Sequence, residues 1–259
     1  MALVDFRKED GIAFITLNRP EALNAMNVAM WENLSQVWSE FRLDPDVRVA
    51  VVNGAGEKAF CTGLDLKDFV RYGDPRVRDF WNSDDPADLG RGARIWKPMI
   101  AAVHGFCLAG GFEIALACDI RIAADNAIFG FPEIQRGFFP GTGGTVRLPR
   151  IIPQGIAFEM LYTGEPVSAG EAHRIGLVNR IVAQGELLTC ATDMARKIAS
   201  GPPLAIRAIK EVVLRSEGMS FMEAIRLEAS LRALVGHTQD ASEGPRAFME
   251  KRSPKFTGR

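Results

Sequence analysis

Two acids and two glycine turns carry the chemistry that this sequence offers. Glu113 follows the pair Gly110-Gly111 in A-G-G-F-E, and Glu133 closes F-G-F-P-E. A second glycine turn, around Gly63-Leu64, also follows an apolar strand and precedes helical sequence. Glycine lets a backbone approach a ligand closely, and two turns of this kind can each aim an N–H at one carbonyl oxygen. A thioester or amide carbonyl held between such donors is polarised toward an enolate, and the positive end of the helix opened by Gly110 adds to that stabilisation. Each acid also has a purely structural reading, since a carboxylate in a first helical turn offsets the helix dipole. Phe112, Ile114, Phe129, Phe131, Phe138 and Phe139 crowd both acids in sequence. Solvent-poor surroundings of this kind suit proton transfer near neutrality and favour acid–base work.

Other chemistries are poorly supplied. His104, His173 and His237 form no metal-like spacing with acids or cysteines, so no metal site is expected. G-T-G-G-T at 141–145 lacks the lysine of a phosphate-binding loop and the spacing of a dinucleotide fingerprint. No G-x-S-x-G elbow is present. The 31 basic and 32 acidic residues leave a net charge of −1, which gives no electrostatic case for nucleic acid. Cys61, Cys107, Cys118 and Cys190 form no C-x-x-C and read as reduced, buried thiols of a cytoplasmic protein. The N-terminus enters strand-like sequence at once, without a targeting signal, and no apolar run is long enough to cross a membrane.

The elements that must position these groups follow from periodicity. Leu3 to Phe6 and Gly11 to Leu17 read as a hairpin, and Met30, Leu34, Val37, Trp38 and Phe41 mark one face of a helix that Asp44-Pro45 ends. Val47 to Val52, Pro98 to His104 and Ile120 to Ala124 are short apolar strands of the kind buried on both faces, with a fifth at Ala127 to Phe129. The polar stretch 71–95 is expected to be a variable insert or lid. Ser168 and Ser220 begin capping boxes, and Gly176 to Val182 is a late strand. Gly201-Pro202-Pro203 is the clearest boundary, dividing a core over 1–200 from a helical region over 201–259 with two amphipathic helices and a basic tail. Strands alternating with helices through 182 predict an α/β arrangement.

A-F-C-T-G-L-D-L-K at 59–67, K-P-M-I-A-A-V-H-G at 97–105, A-G-G-F-E-I-A-L-A-C-D at 109–119, F-G-F-P-E at 129–133 and P-G-T-G-G-T-V-R-L-P-R at 140–150 resemble the enoyl-CoA hydratase/isomerase, or crotonase, superfamily. So does A-F-M-E-K-R-S-P-K-F near the C-terminus, and I-P-Q-G-I-A-F-E-M-L-Y-T-G is similar to the carnitinyl-CoA dehydratase branch. The resemblance implies a spiral of ββα turns with a C-terminal helical trimerisation region, assembled as a homotrimer or a dimer of trimers. It implies an acyl-CoA substrate, fatty-acid β-oxidation chemistry, and no cofactor apart from the coenzyme A that enters with the substrate. By matching position, the backbone N–H groups of Leu64 and Gly110 form the oxyanion hole. Glu113 helps deprotonate the added water, Glu133 delivers a proton to C2, and Gly141 seats the water. Ala22, Leu23, Lys58, Ala59, Thr62 and Lys67 match the CoA path, with Phe248 and Lys251 reaching the nucleotide end from a neighbouring subunit. Hydration of a trans-2-enoyl-CoA is therefore the expected reaction, with carnitinyl-CoA dehydration or Δ3,Δ2-enoyl-CoA isomerisation as alternatives. An RNA-binding or non-catalytic member of the fold would need a basic exposed helix or a lost acid, and the sequence has neither feature.

Three departures from the family pattern stand out. Phe131 occupies a position that is commonly polar or small, and its ring is expected to narrow the acyl pocket. Glu21 replaces a residue that is often basic, and His104 replaces a common asparagine as a turn residue.

Overall fold

The computed structural model describes residues 2–72 and 95–259. The insert expected over 71–95 lies, but for its ends, outside the described residues. Strand β1 (Val4–Glu9) pairs antiparallel with β2 (Ile12–Leu17) through a tight turn at Asp10-Gly11, both with positive φ. That is the turn chemistry a two-residue hairpin demands. Helix α1 (Val28–Leu43) buries Met30, Leu34, Val37, Trp38 and Phe41, the stripe its spacing predicts. Asn27 caps it, accepting from the Met30 N–H at 2.9 Å.

Three ββα turns follow. The first is β3 (Val49–Gly54), β4 (Ala59–Cys61) and α2 (Leu66–Tyr72); the second is β5 (Met99–Val103), β6 (Phe106–Leu108) and α3 (Gly110–Ala117). The third is β7 (Ile120–Ala124), β8 (Ile128–Gly130), a 3-10 turn at Pro132–Arg136, and α4 (Gly144–Ile151). The first strand of each turn joins a six-stranded sheet ordered β1-β2-β3-β5-β7-β10, with β10 at Arg180–Val182, parallel except for the β1–β2 hairpin. The second strand of each turn joins a four-stranded sheet ordered β4-β6-β8-β9, with β9 at Val167–Ser168. Only the β8–β9 pair of this sheet is antiparallel.

The large sheet is buried on both faces, which is why its strands read as unbroken apolar runs. Ala50 and Val52, Met99, Ala101 and Val103, and Ala123 face the core that contains α1. Their alternates, Val49, Val51, Ile100, Ala102, Ile122 and Ala124, face α7 (Leu187–Ala199), which presents Leu187, Ala191, Ala195 and Ala199. Three alanines at four-residue spacing let this helix lie close against the sheet.

Beyond α5 (Gln154–Thr163) and α6 (Ala169–Arg174), the chain ends in α8 (Pro203–Ser216), α9 (Phe221–Gly236) and α10 (Gln239–Met249). The last helix is one more than the sequence reading anticipated. Gly244-Pro245 looks like a break, yet the helix runs through it, capped by the Thr238 hydroxyl on the Ala241 N–H. Ser220 makes the full capping box with Glu223, whereas Ser168 makes only half of one, because Glu171 turns to Arg174 instead.

Candidate active site

The sequence-predicted groups gather at one edge of the four-stranded sheet. Strands β4, β6 and β8 are adjacent and parallel. Leu64 follows the end of β4, Gly110 and Glu113 follow β6, and Glu133 follows β8. The carboxyl edge of parallel strands is where α/β sheets bind ligands, because the turns leaving it are free to vary.

The two glycine turns touch. A Cβ on Gly63 would lie 2.6 Å from the Cβ of Ala109 and 2.9 Å from the Gly110 nitrogen, and Gly63 has φ +88°, so only glycine fits. Leu64 bridges Met26 in parallel, with the Met26 N–H on the Gly63 carbonyl at 2.7 Å and the Asp65 N–H on the Met26 carbonyl at 2.9 Å. In that pattern the Leu64 N–H points away from Met26. Gly110 is the first residue of α3, so its N–H has no acceptor within the helix. Ala109 before it holds φ 51° and ψ −130°, a conformation that costs an L-residue about 1–3 kcal/mol and aims the next peptide. Helix α3 approaches β4 so closely that a Cβ on Gly111 would sit 2.3 Å from the Cys61 carbonyl oxygen.

Glu113 is 3% exposed, in the first turn of α3. Its Oε1 accepts from the Thr142 N–H at 2.6 Å and the Gly144 N–H at 2.8 Å, and its Oε2 accepts from the Thr142 hydroxyl. Thr142 was not singled out in the sequence, where G-T-G-G-T was set aside as a phosphate loop and, within the family resemblance, only Gly141 was given a role. Gly141, beside it, is exposed. Glu133 is half-buried in the Pro132–Arg136 turn, and its carbonyl accepts from the Phe138 N–H at 3.1 Å. The two acids are linked through their aromatic neighbours: Phe112 stacks on Phe131 with ring centroids 4.6 Å apart.

Phe131 corrects one expectation. Its ring is fully buried between Phe112 and the backbone at Gly144, so it fills the core beneath the site and does not narrow an open pocket. Phe138 and Phe139 are likewise not packed around the acids but exposed, Phe138 meeting Phe69 of α2 edge-on at 5.1 Å.

A cleft of about 330 Å³ is lined by Pro20, Glu21, Leu23, Asn24 and 55–59. It therefore contains Leu23, Lys58 and Ala59 of the predicted CoA path, with Glu21 and Glu57 as acidic wall groups. Ala22 belongs to the 3-10 turn behind it, and the Thr62 hydroxyl donates to the Leu23 carbonyl at 3.3 Å. Lys67 is exposed on α2. Asn24, fully buried, pins the loop: its amide donates to the carbonyls of Ala55 and Ala59 and accepts from the Arg19 N–H. Arg19 also reaches Asp65 at 3.1 Å, tying the cleft to the turn that carries Leu64. Burial alone would raise the Asp65 carboxyl, but the Arg19 guanidinium and nearby backbone amides outweigh it and hold the group below the usual carboxylate range. Phe248, 85% exposed, and Lys251 lie at the end of α10 and do not line this cleft.

Burial pushes Cys61 and Cys118 up to about 12, leaving both as inert thiols. Among the described residues no group of three or more His, Cys, Asp or Glu is placed to hold a metal ion. His104 is buried and held below its ordinary value by desolvation, consistent with a neutral turn residue. No helix among the described residues is long and apolar enough to cross a membrane.

Comparison with known proteins agrees with this fold. The enoyl-CoA hydratase/isomerase family profile matches residues 7–259. The (E)-benzylidenesuccinyl-CoA hydratase of Thauera aromatica is 42% identical over 247 residues, 95% of this chain and 96% of that protein. The carnitinyl-CoA dehydratase of Escherichia coli K12 is 43% identical over 256 residues, 97% of each. The crystal structure of enoyl-CoA hydratase from Mycobacterium tuberculosis H37Rv superposes with a TM-score of 0.91 at 39% identity, covering 100% of both chains. On its fold, its sequence and the relatives it matches, this chain belongs to the enoyl-CoA hydratase/isomerase family, among the hydro-lyases that act on CoA thioesters.

Proposed function

We propose that this protein is an enoyl-CoA hydratase, adding water across the 2,3 double bond of a trans-2-enoyl-CoA and running the reverse dehydration at the same site. The observation that carries the reading is the contact between the two glycine turns, with the two acids following the ends of adjacent parallel strands. The thioester oxygen sits between the Leu64 and Gly110 N–H groups, which take up the charge of the enolate as it forms. Preorganised donors of this kind each contribute about 3 kcal/mol to barrier lowering. Glu113 takes a proton from water as its oxygen bonds to C3, Glu133 gives a proton to C2, and both act on one face of the double bond. The Gly141 N–H seats the water. The coenzyme A handle lies along Ala22, Leu23, Lys58, Ala59, Thr62 and Lys67. A neighbouring copy contributes Phe248 and Lys251 at the nucleotide end, within a trimer or a pair of trimers in the cytoplasm.

The 42–43% identity to hydratases and dehydratases of substituted acyl-CoA thioesters supports a second reading, in which the acyl group is bulkier than crotonyl. Following loss of the conjugated enoyl thioester absorbance with crotonyl-CoA, crotonobetainyl-CoA and (E)-benzylidenesuccinyl-CoA separates the two, and a 3-enoyl-CoA tests isomerisation. Glu113→Gln and Glu133→Gln are each expected to lose about 10²- to 10⁴-fold in kcat while binding acyl-CoA within a few-fold of wild type. Normal turnover by either variant removes that acid from the mechanism.

A further inference from the structure

Glu113 is anchored unequally at its two oxygens. Two backbone amides, of Thr142 and Gly144, both go to Oε1, whereas Oε2 receives the Thr142 hydroxyl. Any residue but proline at 142 would supply the amide, whereas the second donor is the threonine's own hydroxyl. With the hydroxyl gone, rotation of the rigid carboxylate about its last side-chain bond, which moves both oxygens together, is resisted by the two Oε1 contacts alone. The turn that offers these donors is itself held from behind. The Arg147 guanidinium donates to the Thr142 carbonyl at 3.0 Å, and Gly144 lies against the Phe131 ring. Thr142 is 9% exposed and Glu113 3%, so bulk water has little access to replace a lost bond. The Thr62 hydroxyl is engaged elsewhere, donating to the Leu23 carbonyl at 3.3 Å.

We propose that the Thr142 hydroxyl is a positioning group for the reaction, fixing the rotation of the Glu113 carboxylate so that one oxygen is always presented to the water it activates. The kinetic part of this inference rests on the hydratase reading; the contact itself does not. General-base transfer requires an oxygen within about 2.6–3.2 Å of the proton it takes, and a displacement of about 1 Å can cost about 100-fold.

The test compares Thr142→Val, which keeps the shape and removes the hydroxyl, with Thr142→Ser, which keeps the hydroxyl and removes a methyl group. With crotonyl-CoA, Thr142→Val is expected to lose about 10- to 100-fold in kcat with KM within about threefold of wild type, and Thr142→Ser to recover most of the loss. A kcat for Thr142→Val within twofold of wild type overturns the proposal, as does a Thr142→Ser variant as impaired as Thr142→Val, which would make the effect one of packing. A second measurement needs no substrate. The Glu113 carboxylate stretch, isolated by subtracting the infrared spectrum of Glu113→Gln, is expected to move in Thr142→Val and return in Thr142→Ser. A band unmoved in Thr142→Val overturns the proposal whatever the kinetics. A band that moves in Thr142→Val, when wild type hydrates no enoyl-CoA, supports the positioning contact and counts against the hydratase reading alone.

Discussion

Lys97 shows how one buried charge is reconciled with an apolar core. It is 3% exposed, its ammonium lies over the Phe41 ring, and it donates to the carbonyls of Phe41, at 2.6 Å, and Asp44, at the end of α1. Those carbonyls are orphans of the helix terminus, so the lysine acts as a cap delivered from a neighbouring strand. Burial, with the Arg207 charge adding to it, pushes Lys97 down from 10.5 to about 8. Between these values the unfolded chain holds a proton that the folded chain has released, so stability from this group rises with pH there and is level below about 8. In urea titrations from pH 7 to 10.5, wild type is expected to gain stability relative to Lys97→Met. A constant difference between the two proteins would show that the ammonium is not shifted. At this scale the sequence was uneven in what it displayed. Glu113, Glu133, Leu64 and Gly110 stood out because each sits in a local run of distinctive residues. Thr142 did not, because its partner lies 29 positions away and a hydroxyl–carboxylate contact leaves no periodic trace.

Helix α3 does its work through where its first turn lies. It is only 8 residues long and is wedged against β4 by the absence of a side chain at Gly111. Gly111→Ala has to push the helix away from the Cys61 carbonyl, separating the Gly110 N–H from the Leu64 N–H while leaving the cleft at 20–59 intact. The expected outcome is a loss of about 10²- to 10³-fold in kcat, the size of one lost oxyanion donor, with acyl-CoA affinity changed far less. Equal damage to binding and turnover would mean that the cleft and the helix move as one. The elements of the large sheet were legible because strands of five and six residues show their composition clearly. The small sheet was largely missed: Ala59–Cys61 and Phe106–Leu108 have three residues each, too few for any period to appear. Yet it is the small sheet whose edge carries the site, so its residues could be named before the surface that unites them.

The C-terminal helices give the molecule a face with no counterpart in its own core. Helix α9 buries no residue, and Phe221, Leu234 and Ile209 of the α8–α9 pair are 77%, 68% and 64% exposed. Apolar exposure on this scale marks an interaction surface. Sedimentation is expected to give a trimer or a multiple of one, and Leu234→Glu with Ile209→Glu to shift it toward monomer; a wild-type monomer at micromolar concentration would refute the assembly. The helical character of this region was visible from its capping box at Ser220, while the extra helix through Pro245 was not, because a proline in the pattern looks like an end. Along the chain, the cleft residues between Pro20 and Ala59 come first, the two glycine turns that the proposed reaction uses for the carbonyl come next, and the acids proposed to act on the carbons come with the second turn and after it. A chimera joined between two relatives just after residue 64 would thus take the 20–59 cleft from one parent and both acids from the other.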